Sequence, residues 1–404
     1  MRSRARTRRA RELREPREPR GPRGPEEPRQ SRQPRERWAT DVRIAKGTIL
    51  VYRVLDIADE IDLPAAERRL RAHRTPSRMR LARSTGQALI IANAPVHLSL
   101  GKSTVRVGER QVTAETSAKL WDYGVLSIQF QVPIPPGTRF DELTATAAQV
   151  EDDSDFEEVA RRHAHEVTQS LGPALETPHE WEGVEDYVIY FLEQVEGLER
   201  PGDLLHAVDV PALILGEPAI PLARRMRAPI LESVIQYGDA DLAVIDWNSA
   251  VVVEPSGQHD VPDVLEFALT HLMEYRYYDD LLDQRLAVLY GSMGRRRPGI
   301  FGGGYSRLSR EASQIYLELS EFLERVENSL KVVGDFHLAM VFRAATQRFR
   351  LGDWEASITR KMGLLARVSE LLQGELNVWR SHLLEIIIIA LITFEIVSAL
   401  LKIQ

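Results

Sequence analysis

The sequence predicts an α+β protein: an N-terminal mixed domain, then long helices forming a hairpin and stalk, then a single apolar C-terminal helix. Three observations predict it. Short β-branched runs separated by turn residues recur over residues 42–256. After Pro262 they give way to apolar residues at three- and four-residue spacing. The chain closes on "HLLEIIIIALITFEIVSALLKIQ". The regions are a tail over 1–38, an α+β domain over 42–256, a helical hairpin and stalk over 260–380, and a transmembrane helix over 383–401.

The tail carries fourteen Arg against six Glu, and six Pro, within residues 1–37. Almost devoid of apolar residues, it cannot offset its ordering entropy and reads as disordered. Its Glu and Pro also spoil the amphipathic helix of a transit peptide, and its arginines precede no apolar core of a secretory signal. With the chain at −7 overall, the body is acidic, which argues against a general nucleic-acid binder. The absence of cysteine excludes disulfides, thiolate zinc sites, Fe–S clusters and a Cys nucleophile.

The α+β domain opens on "KGTILVYRVLDIADEIDLPAAERRL", a strand, a turn and a helix started by Pro64. "QALIIANAPVHLSL", "VRVGERQVTA" and "GVLSIQFQVPIP" read as further strands. From Thr138 to Leu171 the spacing is helical, with Phe140, Leu143, Ala147 and Val150 on one face. "EDYVIYFLEQV" reads as a strand and "PGDLLHAVDVPALILG" as helical. "PILESVIQYGDADLAVIDWNSAVVVEP" supplies up to three strands, with Trp247-Asn248-Ser249 as a hairpin turn in which Trp247 packs on a neighbouring face.

Three helical seams follow. Leu265, Ala268, Leu272, Tyr275, Leu282, Leu286 and Leu289 form the first, interrupted at Asp279. Ala312, Ile315, Leu319, Phe322, Val326 and Val333 form the second. Ile358, Leu365, Val368, Leu372, Leu376 and Trp379 form the third, which runs without a breaker into the closing segment. Such heptad-like seams predict long helices packed on one another, within one chain or between copies.

Most chemical motifs fail on spacing. "LGKST" at 100–104 has Val96 where a phosphate loop needs glycine, and reads as a strand-connecting turn. His163 and His165 are two apart, so on a helix they diverge by about 200° and read as a solvated face rather than a metal pair. "YGSMGRRRPGIFGGGYSR", residues 290–307, has six glycines and reads as a loop whose Arg295, Arg296 and Arg297 could meet RNA phosphate or a lipid headgroup. No catalytic, cofactor or metal residues are assigned.

From Leu383 to Leu401, thirteen of nineteen residues are Leu, Ile, Val or Phe. They supply roughly −4 to −8 kcal/mol of insertion energy, against about +3 for a central acid. Nineteen helical residues reach about 28 Å, enough for the hydrocarbon core. Trp379, Arg380 and His382 supply an interfacial belt. Glu385 lies in the first turn and Glu395 deeper, where a carboxylate needs a partner helix.

"YGVLSIQF", "YGDADLAVIDWNSAVV", "VLEFALTHLMEYRYYDDLLDQRL" and "LLEIIIIALITFEI" resemble the Rmd/YagE family, named for "required for meiotic nuclear division". The similarity runs from Val42 to Leu401 and includes Tyr123, Gly124, Asp246, Trp247 and Asn248, with Glu385 and Glu395 in the closing motif. Ile386 stands where many relatives carry Trp. The resemblance implies a C-terminal membrane anchor and a homo-oligomer, and it supplies no catalytic residues. The lack of a transit peptide points to a bacterial member, and Arg360, Lys361, Arg367 and Arg380 before the helix place most of the chain on the cytoplasmic side of the cytoplasmic membrane. The reading is a scaffold rather than an enzyme, without cofactor or small-molecule substrate. Mitochondrial relatives sit on the inner membrane and support translation, which implies a ribosome or RNA partner. The alternative is an enzyme or nucleotide-binding protein, its pocket formed around Tyr123, Asp246 and Asn248.

Overall fold

The computed structural model describes residues 42–71, 76–79, 93–151, 155–218, 222–295, 303–330 and 336–401. The Arg/Pro-rich tail, Arg296, Arg297 and the first part of "QALIIANAPVHLSL" lie outside them.

The elements run β1 (Arg43–Asp56), β2 (Ala58–Ile61), α1 (Leu63–Leu70), β3 (Ser77–Arg78), β4 (Val96–Val107), β5 (Arg110–Leu120) and β6 (Val125–Pro133). Next come β7 (Thr138–Arg139), α2 (Phe140–Glu151), α3 (Asp155–Leu171), β8 (Leu175–Pro178) and β9 (Glu185–Glu196). Short helices α4 (Leu204–Ala207), α5 (Val210–Ile214) and α6 (Arg224–Leu231) lead to β10 (Val234–Ile235), β11 (Leu242–Ile245) and β12 (Ser249–Val253). Four longer helices end the chain: α7 (Asp260–Arg295), α8 (Gly303–Leu330), α9 (Phe336–Arg348) and α10 (Leu351–Leu401).

The large sheet has the order β10-β11-β12-β9-β1-β6-β5-β4-β3, with β7 also on β1. Among the described residues only β12 on β9 pairs in parallel. β1 explains why "ILVYRVL" is almost continuously apolar. Ile49, Val51 and Leu55 enter the core beneath α1, α2 and α3. Leu50, Tyr52 and Val54 enter a second core beneath the long helices. A strand covered on both faces loses the polar alternation of a half-exposed one. The protein is thus layered helix, sheet, helix, and the long helices share a core with the sheet.

Local chemistry fixes the joints. Asp62 caps α1 through its carboxylate on the Ala65 N–H at 2.9 Å, with Pro64 in the first turn. The β5–β6 turn closes through Trp121 N–H to the Val125 carbonyl at 2.9 Å and Gly124 N–H to the Trp121 carbonyl at 3.2 Å. Gly124 sits at φ +98°, and a Cβ there would lie 1.7 Å from the Ala58 carbonyl oxygen. No other residue type fits.

Four expectations are corrected. "LGKST" is not a turn between strands but lies inside β4, where the register slips between Ser99 and Gly101 in a bulge. Helix α7 continues through Asp279, whose carboxylate accepts from Ser357 at 2.9 Å and pairs with Lys361 at 2.9 Å. A helix tolerates a charge in its seam when the facing helix supplies the counter-charge. The glycine-rich segment is shorter as a loop than 290–307, because α7 runs to Arg295 and α8 starts at Gly303. Trp247 does turn the β11–β12 hairpin, but it is 65% exposed rather than packed.

Candidate functional site

One helix among the described residues is long and apolar enough to cross a membrane, Ser381–Ser398, and none of it is buried against the body. It is the final part of α10, whose earlier residues Ile358, Met362, Leu365 and Val368 are buried in the second core. The same helix therefore begins as a core element and ends as a bare apolar rod. A rod of this kind has no reason to stay in water. Glu385 and Glu395 are both exposed along it, and His382 approaches Glu385 at 3.7 Å.

A second feature lies on the sheet. The registers pair His97 with Lys119, Ser99 with Ser117, and Lys102 with Glu115. They continue from Lys119 to Ser127, Ser117 to Gln129, and Glu115 to Gln131. Cross-strand neighbours share a face, so three polar rows cross β4, β5 and β6 where an apolar face would be usual. The Gly101 bulge keeps Lys102 on this face despite the odd spacing. A cavity of about 350 Å³ opens above the rows, bordered by His97, Ser99, Lys102, Glu115, Ser117 and Gln131.

At the inner end of the rows Lys119 Nζ donates to Asp263 Oδ1 and to Glu266 Oε2, each at 2.6 Å, beneath the start of α7. Burial works against the ammonium, but the two carboxylates outweigh it and raise the lysine above its ordinary value. Burial raises Glu266 in turn, opposed by Lys119. Gln129 Nε2 donates to the Tyr52 hydroxyl at 2.6 Å, and Gln131 Nε2 to Gln129 Oε1 at 2.8 Å. Burial, and then the charge of Lys119, lowers His97. The floor therefore offers hydroxyl, amide and imidazole groups with a cation and a carboxylate at its rim.

A third cluster ties the small β2–β8 ribbon to α7. His179 Nε2 lies 3.0 Å from Asp56 Oδ1, and Nδ1 lies 3.5 Å from Asp59. Its ring stacks on Tyr277 with centroids 4.6 Å apart and planes within 3°. Burial opposes the imidazolium, yet the two carboxylates raise His179 to about 10. Burial pushes Asp56 up to about 6. Beside them Trp181 Nε1 donates to Asp280 at 3.1 Å, and Arg276 pairs with Glu185, which burial raises to about 7. Among the described residues no group of acidic or histidine side chains is arranged to hold a metal ion.

Residues 46–260, more than half of the chain, match the family described as "Uncharacterized protein MJ0711, N-terminal domain". The chain belongs to this family. It is also 24% identical over 178 residues to the protein described as "Uncharacterized protein MJ0711" of Methanocaldococcus jannaschii, a match covering 43% of this chain and 53% of that one. The chain thus spans about half the length of this curated relative. No solved structure matches. Neither match links the chain to the Rmd/YagE family.

The MJ0711 match begins inside β1, takes in β2 to β12 and stops as α7 begins. It contains the polar rows, whereas the apolar helix lies beyond it. Tyr123, Gly124, Asp246, Trp247 and Asn248 all fall inside it, but they do not form one pocket. Tyr123 exchanges a 2.6 Å hydrogen bond with Thr270 and stacks on Trp121 and His271. Asp246 instead faces Arg348 at 3.7 Å, and its carbonyl accepts from the Tyr187 hydroxyl at 2.9 Å. His165 is exposed as expected, while His163 departs from a solvated face, its Nε2 lying 2.9 Å from Ser103 Oγ. Trp379 and Arg380 fall within α10, just before the apolar segment. Arg295 ends α7.

Sequence reasoning missed the polar rows. Their signal was available in the polar residues at alternate positions of "ETSAKL" and "SIQFQ", but only strand pairing makes them neighbours.

Proposed function

We propose that the protein is a membrane-anchored, self-associating scaffold without catalytic activity, its sheet domain held against the bilayer by α10. The observation that carries this reading is the complete exposure of the apolar Ser381–Ser398 segment. Arg360, Lys361, Arg367 and Arg380 precede that segment, so the body belongs on the cytoplasmic side. A role in translation or RNA tethering rests on the Rmd/YagE resemblance alone. The test is deletion of 383–401. The intact protein should float with lipid and resist carbonate extraction, and the shortened one should not. A truncated protein that still floats and resists carbonate ends the proposal. Protease digestion of the body from outside intact cells would reverse the orientation.

A second reading is favoured by the cavity over the polar rows: a receptor for a small hydroxylated molecule such as a sugar or nucleoside. Its mixed donors and acceptors suit such a ligand better than an apolar one. Thermal shifts with panels of sugars, nucleosides and nucleotides test it. Shifts that vanish in Ser117→Val support it, and none in either protein removes it.

A further inference from the structure

We infer that two copies of the chain pair in parallel along one exposed line of α10, through Leu364, Leu371 and Val378. The inference rests on the reading of an anchored, self-associating protein above. It goes beyond that reading by naming the surface and its partner, the same surface of a second copy.

The heptad seam of α10 that begins at Ile358 is already used within the chain, since Ile358, Leu365 and Val368 are buried in the second core. A different line is left open. Leu364, Leu371 and Val378 are exposed and seven residues apart, and residues so spaced on a helix deviate by only about 20°. One heptad before Leu364 stands Ser357, whose hydroxyl donates to Asp279 at 2.9 Å, so the line borders α7. Tyr290 joins it from that helix. Asp279 meets Ser357 and Asp283 meets Lys361, which sets α7 and α10 parallel in a fixed register. Tyr290, one heptad beyond Asp283 and half exposed, then falls level with residue 368, between Leu364 and Leu371. Leu286 and Leu289 share the buried core with Leu365 and Val368, so the two helices are still together at this level.

A second copy fits this line better than any other occupant. An apolar line of seven-residue period suits a helix of the same period, because both supercoil to stay in contact. Copies held in one bilayer by the same segment share direction and height. Leu371 then meets Leu371, and Val378 meets Val378, in a self-complementary contact with no shift of register. Two further heptads carry the line to Ile392, and Glu395 lies one turn on along the same face. Pairing therefore brings to Glu395 the second helix that a carboxylate in hydrocarbon requires. Arg360, Arg367, Glu370 and Glu375 flank the line, two of each sign, so copies meet there without net repulsion. Lys361 is held by Asp279 and Asp283. Gly374 and Ser381 follow Arg367 at one and two heptads, and their small size lets the backbones approach. Contact is closest from Leu371 to Ser381.

The chain has no cysteine, so single cysteines report without background in the full-length protein. Leu371→Cys and Val378→Cys are compared with two controls. Gln373→Cys is exposed about 200° round the same helix from Leu371, and Leu317→Cys is exposed on α8. Each is oxidised in native membranes, and the linked partner is identified by mass.

A disulfide needs Cα atoms within about 7 Å, so self-linkage at 371 and 378 should exceed that at 373 and 317 by about fivefold or more. Leu371→Glu with Val378→Glu should shift the detergent-solubilised protein toward smaller species, with flotation and carbonate resistance kept. An oligomer that links equally at all four positions, or keeps its size in the double variant, overturns the seam and leaves self-association standing elsewhere. A parent that is monomeric by light scattering ends the self-association reading and takes the inference with it. A parent that does not float with lipid ends the anchor and the inference together. Linkage of 371 to a different membrane protein, in place of self, overturns the second copy as the occupant.

Discussion

Lys119 of β5 and Glu266 of α7 meet at 2.6 Å across 147 residues of sequence, in the buried seam between sheet and long helices. Asp263 completes the set at the same distance. Two carboxylates share one ammonium here, so removal of the lysine leaves both without their counter-charge. Lys119→Met should cost about 3 kcal/mol of stability, and Lys119→Met with Glu266→Met should recover part of it. Chemical denaturation of the three proteins checks this. A single mutant as stable as the parent would show that the pair contributes nothing to the join.

His179 gives a pH signature of defined sign. Its folded pKa of about 10 stands above the ordinary 6.5, held there by Asp56 and Asp59. The native state then binds the extra proton, so this stabilisation is fully present below pH 6.5 and is lost as pH rises through about 10. His179→Gln, which keeps a hydrogen-bonding group without the charge, should lower stability at pH 7, above the value of about 6 of Asp56, and approach the parent near pH 10. Melting curves across that range check it, and a pH-independent difference would assign His179 to packing on Tyr277 alone.

Gly124 and Gly101 both adopt positive φ, at +98° and +85°, but only Gly124 is crowded. A methyl at 101 meets nothing within 4 Å, whereas at 124 it would lie 1.7 Å from the Ala58 carbonyl oxygen. Gly101→Ala should cost about 1 kcal/mol from backbone strain. Gly124→Ala should cost about 3 kcal/mol or more, because the β5–β6 turn must move off β2. Equal losses in thermal unfolding would remove the steric argument.

The sequence carried the elements more fully than their meeting points. β1 and β9 are legible because both faces are buried and β-branched residues run on. The seam of α7 is legible, as are the first parts of those of α8 (Ala312, Ile315, Leu319) and α10 (Ile358, Leu365, Val368), because helix packing repeats at short intervals. Asp279 misled because its compensating partners, Ser357 and Lys361, lie on a helix 78 and 82 residues away. "LGKST" misled because a bulge and a turn both favour glycine, and only the register with β5 separates them. The polar rows and the Lys119 cluster exist through cross-strand and sheet–helix pairing. No local pattern shows that Lys119 will face α7 rather than water. Trp247 misled for the opposite reason, since a large apolar side chain at a turn carries no sign of whether anything covers it.

Glu395 bears on whether the anchor is also an assembly element. It sits in the apolar part of α10, where nothing in the single chain covers the helix. A carboxylate at such depth must be neutral or must hydrogen-bond another helix. The described residues hold one helix able to span a membrane, so a second copy is the partner this proposal supplies. Glu395→Leu should leave carbonate-resistant insertion intact, because it removes a polar group from an apolar span. It should also shift the detergent-solubilised protein toward smaller species, because it removes the interhelical bond. Glu395→Gln retains a donor and an acceptor and should lie between the two. Glu385→Leu provides the contrast: Glu385 stands in the first turn, where it can reach water, and its loss should leave the size distribution unchanged. Light scattering on the four proteins reads the result. If Glu395→Leu matches the parent in size, α10 is an anchor only, and any self-association must be sought in the body.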